Sequence, residues 1–244
     1  MASQPPLSLV LRAGQTFDSY VVTPKQNDIA VTALRRLIHQ DESGSPGDRL
    51  LLVWGPPGCG KTHLAVAAAW EAQQCGQRVA MLDLAGDEPV SPSWLEALHG
   101  VEFIVLEGLH LIPGEQEWET ALFRLVDKVL LAGTTRMMVT SRMPPAKLSF
   151  ALADLVSRLQ WGLTVALRMA EQAALAEILE IRARRLGLGV EKPVIEYLLT
   201  RYKRDLPALL ALLDELDRAG LAAQRRLTVP FVQRHLRDKE LSCR

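Results

Sequence analysis

Short apolar runs of strand length alternate with longer segments of helical spacing over the first two thirds of the chain. The apolar runs are predicted to be buried strands, and the longer segments are predicted to be helices. Strands that alternate with helices are typical of a doubly wound parallel sheet. The predicted strands are residues 49–54, 78–84, 103–106, 136–140 and 161–167, and the predicted helices are residues 26–40, 62–74 and 118–132.

After residue 167 the pattern changes to helical spacing alone. This change predicts a small α-helical domain that follows the α/β domain. The first 15 residues contain prolines and show little helical pattern, which predicts a flexible lead. The predicted organisation is a lead at 1–15, an α/β core at 16–167 and a helical domain at 168–244, with helices at 171–186, 192–200, 206–219 and 229–236.

Residues 55–62, Gly-Pro-Pro-Gly-Cys-Gly-Lys-Thr, match the phosphate-binding pattern G-x-x-x-x-G-K-[ST] at every fixed position. The segment follows a predicted strand and opens a predicted helix, so backbone N–H groups at the helix N-terminus can surround phosphates. Lys61 can reach the outer phosphates and Thr62 can ligate Mg²⁺. The predicted nucleotide-binding residues are Gly55, Gly58, Cys59, Gly60, Lys61, Thr62 and the adjoining His63, the last as an incidental helix residue rather than a catalyst.

Composition narrows the class of protein. The chain has 28 basic and 28 acidic residues, and this balance argues against a dedicated nucleic-acid binder. Its three cysteines, at positions 59, 75 and 243, form no metal or disulfide pattern, which is typical of a reducing compartment. We find no signal peptide and no apolar run near membrane-spanning length. A cytoplasmic protein that is not bound to a membrane is therefore expected.

Three segments resemble known families. An α/β phosphate-loop domain followed by a helical lid resembles the AAA+ class, and residues 157–165, Ser-Arg-Leu-Gln-Trp-Gly-Leu-Thr-Val, resemble the DnaA family of replication initiators. Residues 16–21 are similar to that family's opening segment, and residues 216–232 most resemble a branch of DnaA paralogues that inactivate the initiator. The resemblance implies an AAA+ core with a parallel sheet, a bound ADP or ATP and no helix-turn-helix DNA-binding domain, which agrees with the neutral charge.

In AAA+ proteins two acidic residues usually follow the third strand, one holding the metal and the other polarising water. Here Glu107 takes the metal-side position, and Gly108 supplies no base. Glu107 either holds Mg²⁺ weakly, the favoured hypothesis, or only ends a strand. In both cases slow or absent intrinsic hydrolysis is expected, because a positioned base is typically worth about 10²–10⁴ in rate.

The resemblance gives two further side chains a role. Ser141 lies at the sensor 1 position, where it would hydrogen-bond a γ-phosphate or water; equally, it could only begin the following loop. Arg158 is implied to be an arginine finger that acts in trans on the nucleotide of a neighbouring subunit. The alternative for Arg158 is a surface salt bridge at the foot of a strand.

The lid and the lead carry the remaining implied residues. Alignment with the family places Pro207 at the sensor 2 position, where an Arg normally contacts phosphate. Arg204 either substitutes for it or is only solvated. These departures favour a protein that holds ADP without turning it over. In the lead, Gln4, Leu7 and Leu9 resemble the short peptide with which bacterial replication proteins bind the β sliding clamp, a type of extended segment that inserts a few apolar anchors into a groove.

The resulting hypothesis is a negative regulator of replication initiation. It would bind adenine nucleotide and the DNA-loaded sliding clamp, and it would stimulate ATP hydrolysis by DnaA through Arg158. Self-association is also compatible with the sequence. The alternatives are an autonomous AAA+ ATPase such as a helicase loader, a DnaA-like adaptor, or a nucleotide-binding scaffold without a finger.

Overall fold

Five parallel strands form the centre of the first of two compact units into which the computed structural model divides, residues 1–169 and 170–244. The order across the sheet is β2-β3-β4-β1-β5, as expected for a doubly wound fold. The structure describes residues 15–23, 25–39, 45–86, 90–132, 134–188, 190–201, 206–223 and 226–242. The strands are β1 (Leu50–Trp54), β2 (Val79–Asp83), β3 (Phe103–Glu107), β4 (Arg136–Ser141) and β5 (Leu163–Ala166).

Helices cover both faces of this sheet. Side chains alternate along β1, so Leu51 and Val53 pack into the core on one face while Leu50 and Leu52 pack into the core on the other. The first face is covered by α1 and α2, and the second mainly by α4 and α5. The helices of this unit are α1 (Asp28–His39), α2 (Lys61–Gln74), α3 (Ser93–Glu96), α4 (Gln116–Ala132) and α5 (Ala153–Trp161).

The pattern of the sequence did not predict α5. It predicted a strand from residue 161, whereas Trp161 ends α5 and β5 begins only at Leu163. Leu155 and Leu159, four residues apart, bury one face of this nine-residue helix. So short an apolar stripe is a weak helical signal. Arg158 therefore lies on a helix and not at the foot of a strand.

The second unit is a bundle of four helices in its described part, α6 (Gln172–Arg185), α7 (Lys192–Arg201), α8 (Leu206–Ala223) and α9 (Val229–Ser242). Leu179, Leu198, Leu213 and Val232 lie in its apolar core. At the surface, the guanidinium of Arg182 donates to Asp214 at 2.8 and 2.9 Å and connects α6 with α8. The helical domain predicted for this part of the chain is therefore confirmed.

Within the first unit, the buried side-chain amide of Asn27 connects two segments that are distant in the sequence. Asn27 is 1% exposed, and its Nδ2 donates to the carbonyl oxygens of Thr23 at 3.1 Å and Arg168 at 3.0 Å. Its Oδ1 accepts from the backbone N–H of Arg168 at 3.0 Å. Asn27 thus joins the segment before α1 to the segment after β5.

Asn27→Ala is expected to lower the free energy of unfolding by about 3 kcal/mol, because it leaves several buried backbone groups without their partner. Urea unfolding followed by circular dichroism measures this loss. Gln73→Ala removes an exposed amide from α2 and serves as the control, with an expected change within about 0.5 kcal/mol. Equal losses in the two variants would contradict the structural role of Asn27.

Candidate nucleotide-binding site

The phosphate loop connects β1 to α2 and adopts backbone conformations that require glycine. Gly58 and Gly60 have φ values of 80° and 94°, in the left-handed region. A Cβ atom on Gly60 would also lie 2.7 Å from Cε2 of Tyr20. Gly60 caps the N-terminus of α2, whose first N–H groups have no acceptor within the helix. This geometry fits a phosphate group.

Lys61 places its ammonium group over the loop. Its Nζ donates to the carbonyl oxygens of Gly55 and Pro56, each at 2.8 Å, and lies 3.7 Å from Sγ of Cys59. Burial raises the pKa of the Cys59 thiol, so this side chain stays neutral beside the lysine. The loop therefore offers positive charge and N–H donors to a phosphate, with no opposing anion from Cys59.

Tyr20, which the sequence did not single out, packs on this loop. Its hydroxyl donates to the carbonyl oxygen of Cys59 at 3.4 Å and accepts from Nδ2 of Asn27 at 3.4 Å. Burial is the main cause that raises the pKa of Tyr20 to about 12. The resemblance of residues 16–21 to a family's opening segment was the only signal that could have indicated this residue.

His63 was predicted among the nucleotide-binding residues, and its side chain contacts the same opening segment. Nε2 lies 2.9 Å from Oγ of Ser19 and 3.0 Å from the carbonyl oxygen of Thr16. The ring also meets that of Tyr20 edge-on, with centroids 5.5 Å apart. The imidazole is engaged there, so only the backbone N–H of His63 is left to face a phosphate.

Glu107 and Thr62, the two predicted Mg²⁺ ligands, lie together at the carboxyl edge of the sheet. The Thr62 side chain lies near the Glu107 carboxylate and lowers its pKa, and Oγ1 of Thr140 donates to this carboxylate at 3.5 Å. Glu107 is 5% exposed, and burial is the main cause that raises its pKa to about 7. Asp83, its neighbour on β2, raises the pKa further.

These oxygen groups fit a magnesium ion that arrives with a nucleotide. Magnesium is usually held by one or two carboxylates together with phosphates and waters, which is what Thr62 and Glu107 could complete. Among the described residues, no group of three or more His, Cys, Asp or Glu side chains could hold a metal without that help.

Gly108 occupies a turn that disfavours a side chain. Its φ is 90°, and a Cβ would lie 3.3 Å from both Cδ1 of Leu111 and Cβ of Leu84. A carboxylate at this position would therefore have to adopt a left-handed backbone conformation in a tight space. Gly108, which supplies no base, thus lies in a turn whose backbone conformation favours glycine.

His110 follows two residues later, and the sequence did not indicate it. Both ring nitrogens are shielded from solvent and have no hydrogen-bond partner among the residues that the structure describes. Burial, with smaller contributions from Arg142 and Lys61, lowers its pKa. The imidazole is therefore mainly neutral at pH 7, and the positive charge of Lys61 contributes to this.

Thr140 and Ser141 point in opposite directions, as successive residues of β4 must. Thr140 accepts from the backbone N–H of Gly108 at 3.3 Å and lies next to Glu107. Ser141 is fully buried, and its Oγ accepts from the backbone N–H of Met143 at 3.3 Å. The structure therefore gives Ser141 a contact with the following loop, and its sensor 1 role stays a prediction.

Arg158 contacts two side chains on the surface of the first unit, one of them in a surface salt bridge, as the alternative interpretation predicted. Its Nε lies 3.0 Å from Oδ1 of Asp127 on α4, and its Cζ lies 4.7 Å from the ring centroid of Trp161. Trp161 is 53% exposed. Within the described part of the chain we find no partner for the two terminal amino groups of Arg158.

The other predicted residues can be placed only in part. Pro207 is the second residue of α8, in the first turn, where proline fits a helix well. Arg204 and the lead residues Gln4, Leu7 and Leu9 lie outside the described residues. Of the helices that are described, none is long and apolar enough to cross a membrane.

The parallel sheet, the phosphate loop after β1 and the helical second unit define a P-loop protein of the AAA+ class. Residues 11–166 match the model of the bacterial DnaA ATPase domain, and residues 171–236 match that of the Hda lid domain. The chain belongs to the DnaA family, and it carries the lid of the Hda branch.

Solved structures show the same fold. Domain III of the replication initiation protein DnaA from Thermotoga maritima aligns with a TM-score of 0.76 and 19% identity, over 92% of this chain and 96% of that one. AMPPCP-bound DnaA from Aquifex aeolicus aligns with a TM-score of 0.69 and 20% identity, over 94% and 72%. The Holliday junction branch migration motor RuvB of Thermotoga maritima aligns with a TM-score of 0.64 and 19% identity, over 92% and 71%.

The raised pKa of Glu107 predicts a specific dependence of stability on pH. Its carboxyl has a pKa of about 7 in the folded chain against 4.5 ordinarily, so the folded state binds the extra proton between these values. Stability is therefore lost as pH rises through this window, by about 3 kcal/mol at most.

Glu107→Gln should remove this loss in buffer free of nucleotide and magnesium. Urea unfolding at pH 5 and pH 8 measures it, and the variant is expected to gain on the wild type only at the higher pH. Glu117→Gln, at an exposed position of α4, is the control and should follow the wild type. Parallel pH curves for the wild type and Glu107→Gln would show that Glu107 is ionised at neutral pH.

Proposed function

We propose that this protein regulates replication initiation by completing the ATP site of DnaA. It binds an adenine nucleotide, ADP at rest, in its own loop and presents Arg158 to the nucleotide of the initiator. The ATP of DnaA is then hydrolysed, the initiator becomes inactive, and replication does not restart. The single observation that carries this proposal is the arrangement of the Arg158 guanidinium.

The guanidinium is attracted by Asp127 at its inner nitrogen, without a hydrogen bond. Its Nε lies 3.0 Å from Oδ1 of Asp127, an oxygen with no hydrogen-bond partner among the described residues, so the contact orients the side chain by charge alone. The Trp161 ring restricts the same group from one face. Two terminal N–H groups in a fixed plane match the oxygens of a phosphate. Prior orientation also reduces the rotamer entropy lost on binding, which for Arg is up to about 2 kcal/mol.

The ion pair orients Arg158 without locking it away. Both side chains are about one third exposed, at 29% and 31%, so the pair is partly screened by solvent. Partly exposed pairs of this kind contribute about 1 kcal/mol or less. A phosphate with developing charge in a closed site is a stronger partner. Arg158 can therefore act on a neighbouring nucleotide while Asp127 keeps it in place.

The chain's own loop is better suited to holding a nucleotide than to hydrolysing it. The loop Gly55–Thr62, and Lys61 in particular, would hold the phosphates of the bound nucleotide. These phosphates would supply the remaining ligands of a magnesium ion. Glu107, with a pKa of about 7, is only partly ionised at neutral pH, and this weakens its hold on a cation. Gly108 offers no base, and Pro207 offers no charge from the lid. Slow intrinsic turnover with ADP retained follows from these features.

The partners follow from family membership and from the lead. Gln4, Leu7 and Leu9 would dock on the β sliding clamp, so that the protein acts only where the clamp encircles DNA. DnaA would then be the second partner. No direct DNA-binding domain is needed, and all three components would meet in the cytoplasm. The proposal also includes self-association through the same AAA+ surfaces.

An autonomous ATPase is the second candidate, and His110 is the observation that favours it. His110 lies shortly after the end of β3, and both of its shielded ring nitrogens have no hydrogen-bond partner within the described ranges. Its lowered pKa keeps a basic nitrogen available. In that case His110 would take the role of the missing base. Turnover by the purified chain alone at the rate of an ordinary AAA+ enzyme, lost in His110→Ala, would support this candidate over the first.

Arg158→Ala is expected to keep nucleotide binding and to reduce the stimulated hydrolysis of ATP by DnaA by roughly 10³-fold or more, as for other arginine fingers supplied in trans. The assay combines the chain with ATP-bound DnaA, clamp and DNA. Asp127→Asn should cause a smaller loss, roughly five-fold, because it removes orientation and not the finger.

Arg124→Ala is the matched control for this experiment. Arg124 is an exposed arginine on α4 that also pairs with a carboxylate, that of Glu96 at 2.8 Å, and its removal should leave stimulation unchanged. Full stimulation by Arg158→Ala would refute the finger role, whatever the effect of Asp127→Asn.

Leu7→Ala combined with Leu9→Ala should abolish capture of the chain by immobilised β clamp while thermal unfolding stays unchanged. The apolar anchors of such a peptide provide most of its binding energy. Val10→Ala with Leu11→Ala, in the same lead but outside the motif, is the control. Capture that survives the first pair of substitutions would exclude this peptide as the docking element.

A further inference from the structure

We propose that Cys75 is a nucleophilic thiol that forms mixed disulfides with low-molecular-weight disulfides. The side chain is exposed at the end of α2, and its Sγ lies 3.8 Å from Nδ1 of His39 at the end of α1. The other ring nitrogen of His39, Nε2, lies 2.8 Å from Oε1 of Glu71. A carboxylate, an imidazole and a thiol therefore follow one another on the surface of the first unit.

The contacts of His39 determine which nitrogen can accept a proton. A carboxylate only accepts hydrogen bonds, so Nε2 carries the proton that is donated to Glu71. Nδ1 is then the basic nitrogen, and it is the one next to Cys75. A nucleophile within reach of a base that a third group orients is the general arrangement of an activated thiol.

Backbone geometry fixes the position of Cys75. It is the C-cap of α2, and Gly76, with φ of 79°, ends the helix. The N–H of Gln77 donates to the carbonyl oxygen of Ala72 at 3.1 Å, and the N–H of Gly76 donates to that of Gln73 at 3.0 Å. These are the two bonds of a Schellman motif.

This motif also lessens an effect that would oppose thiolate formation. The C-terminus of a helix carries partial negative charge on its free carbonyl groups. Here several of those carbonyls are occupied by the turn. In addition, Nε2 of Gln77 donates to the carbonyl oxygen of Ile38 at 2.8 Å and so joins the end of α1, next to His39, to the end of α2.

Cys59 provides a contrast within the same helix-and-loop unit. It is 5% exposed, and burial raises the pKa of its thiol. Its environment therefore disfavours reaction on grounds of both access and ionisation. The two cysteines flank the helix α2, whose 14 residues span about 21 Å at 1.5 Å per residue. Reaction at Cys75 thus does not require the nucleotide site.

The proposed step exchanges one disulfide for another. Nδ1 of His39 takes the proton from Sγ, and the thiolate attacks one sulfur of the small disulfide. A new S–S bond forms to Cys75 while the S–S bond of the reagent breaks. The leaving thiolate takes the proton back from the imidazolium. One protein mixed disulfide and one small free thiol result, so that atoms and electrons balance.

The test measures the rate of modification by the disulfide of 2-mercaptoethanol, with each cysteine followed by peptide mass spectrometry. The full-length chain is used with Cys243→Ser, so that Cys75 and Cys59 are the only thiols. His39→Ala should slow modification of Cys75 about ten-fold, because it removes the base that takes the proton from Sγ. Glu71→Gln should slow it by a smaller factor.

His99→Ala, which removes an exposed histidine elsewhere in the same unit, is the matched control and should leave the rate unchanged. Modification of Cys59 reports on folding, because a variant that unfolds would expose this buried thiol. If His39→Ala unfolds, the test uses His39→Gln in its place. Equal rates at Cys75 in the wild type and in a folded His39 variant would overturn the proposal, and so would a Cys59 that reacts as fast as Cys75.

Discussion

Parallel strand pairing is the constraint on which the candidate site depends. In a sheet whose strands all run in one direction, every carboxyl end lies at the same edge. The order β3-β4-β1 at the centre therefore brings the phosphate loop after β1 and Glu107 at the end of β3 to the two sides of Thr140 on β4. Thr62 and Glu107, which are 45 positions apart in the chain, therefore lie near each other, and Thr62 lowers the pKa of the Glu107 carboxyl.

Burial then determines how far Glu107 is ionised at this edge of the sheet. Glu107 lies in a site so shielded that its pKa rises to about 7, and Gly108 turns the chain in a conformation that disfavours a carboxylate. Both effects support the proposal of slow hydrolysis, whereas the phosphate loop matches its pattern at every fixed position. By contrast, Arg158 is partly exposed and lies beside Asp127 and Trp161. Under the proposal, the loop that binds a nucleotide and the arginine that acts on the phosphate of DnaA are therefore separate features of one unit.

Local patterns were sufficient for the strands and the phosphate loop, and insufficient for the helices α3 and α5 and for contacts between distant segments. All five strands and the phosphate loop could be predicted, because buried strands are continuous apolar runs and the loop has fixed glycines. The helix α5 was missed because only Leu155 and Leu159 mark its buried face. Tyr20, Asp127 and His110 were missed because their importance arises from partners far away in the sequence.

The central claim is that the hydrolysed ATP belongs to DnaA and not to this chain. The most direct measurement loads γ-labelled ATP onto one protein at a time, combines both with clamp and DNA, and counts the phosphate released in a single turnover. Release from labelled DnaA, with little release when the label is on this chain, is the result that the account predicts. Faster release from this chain's own nucleotide would contradict it.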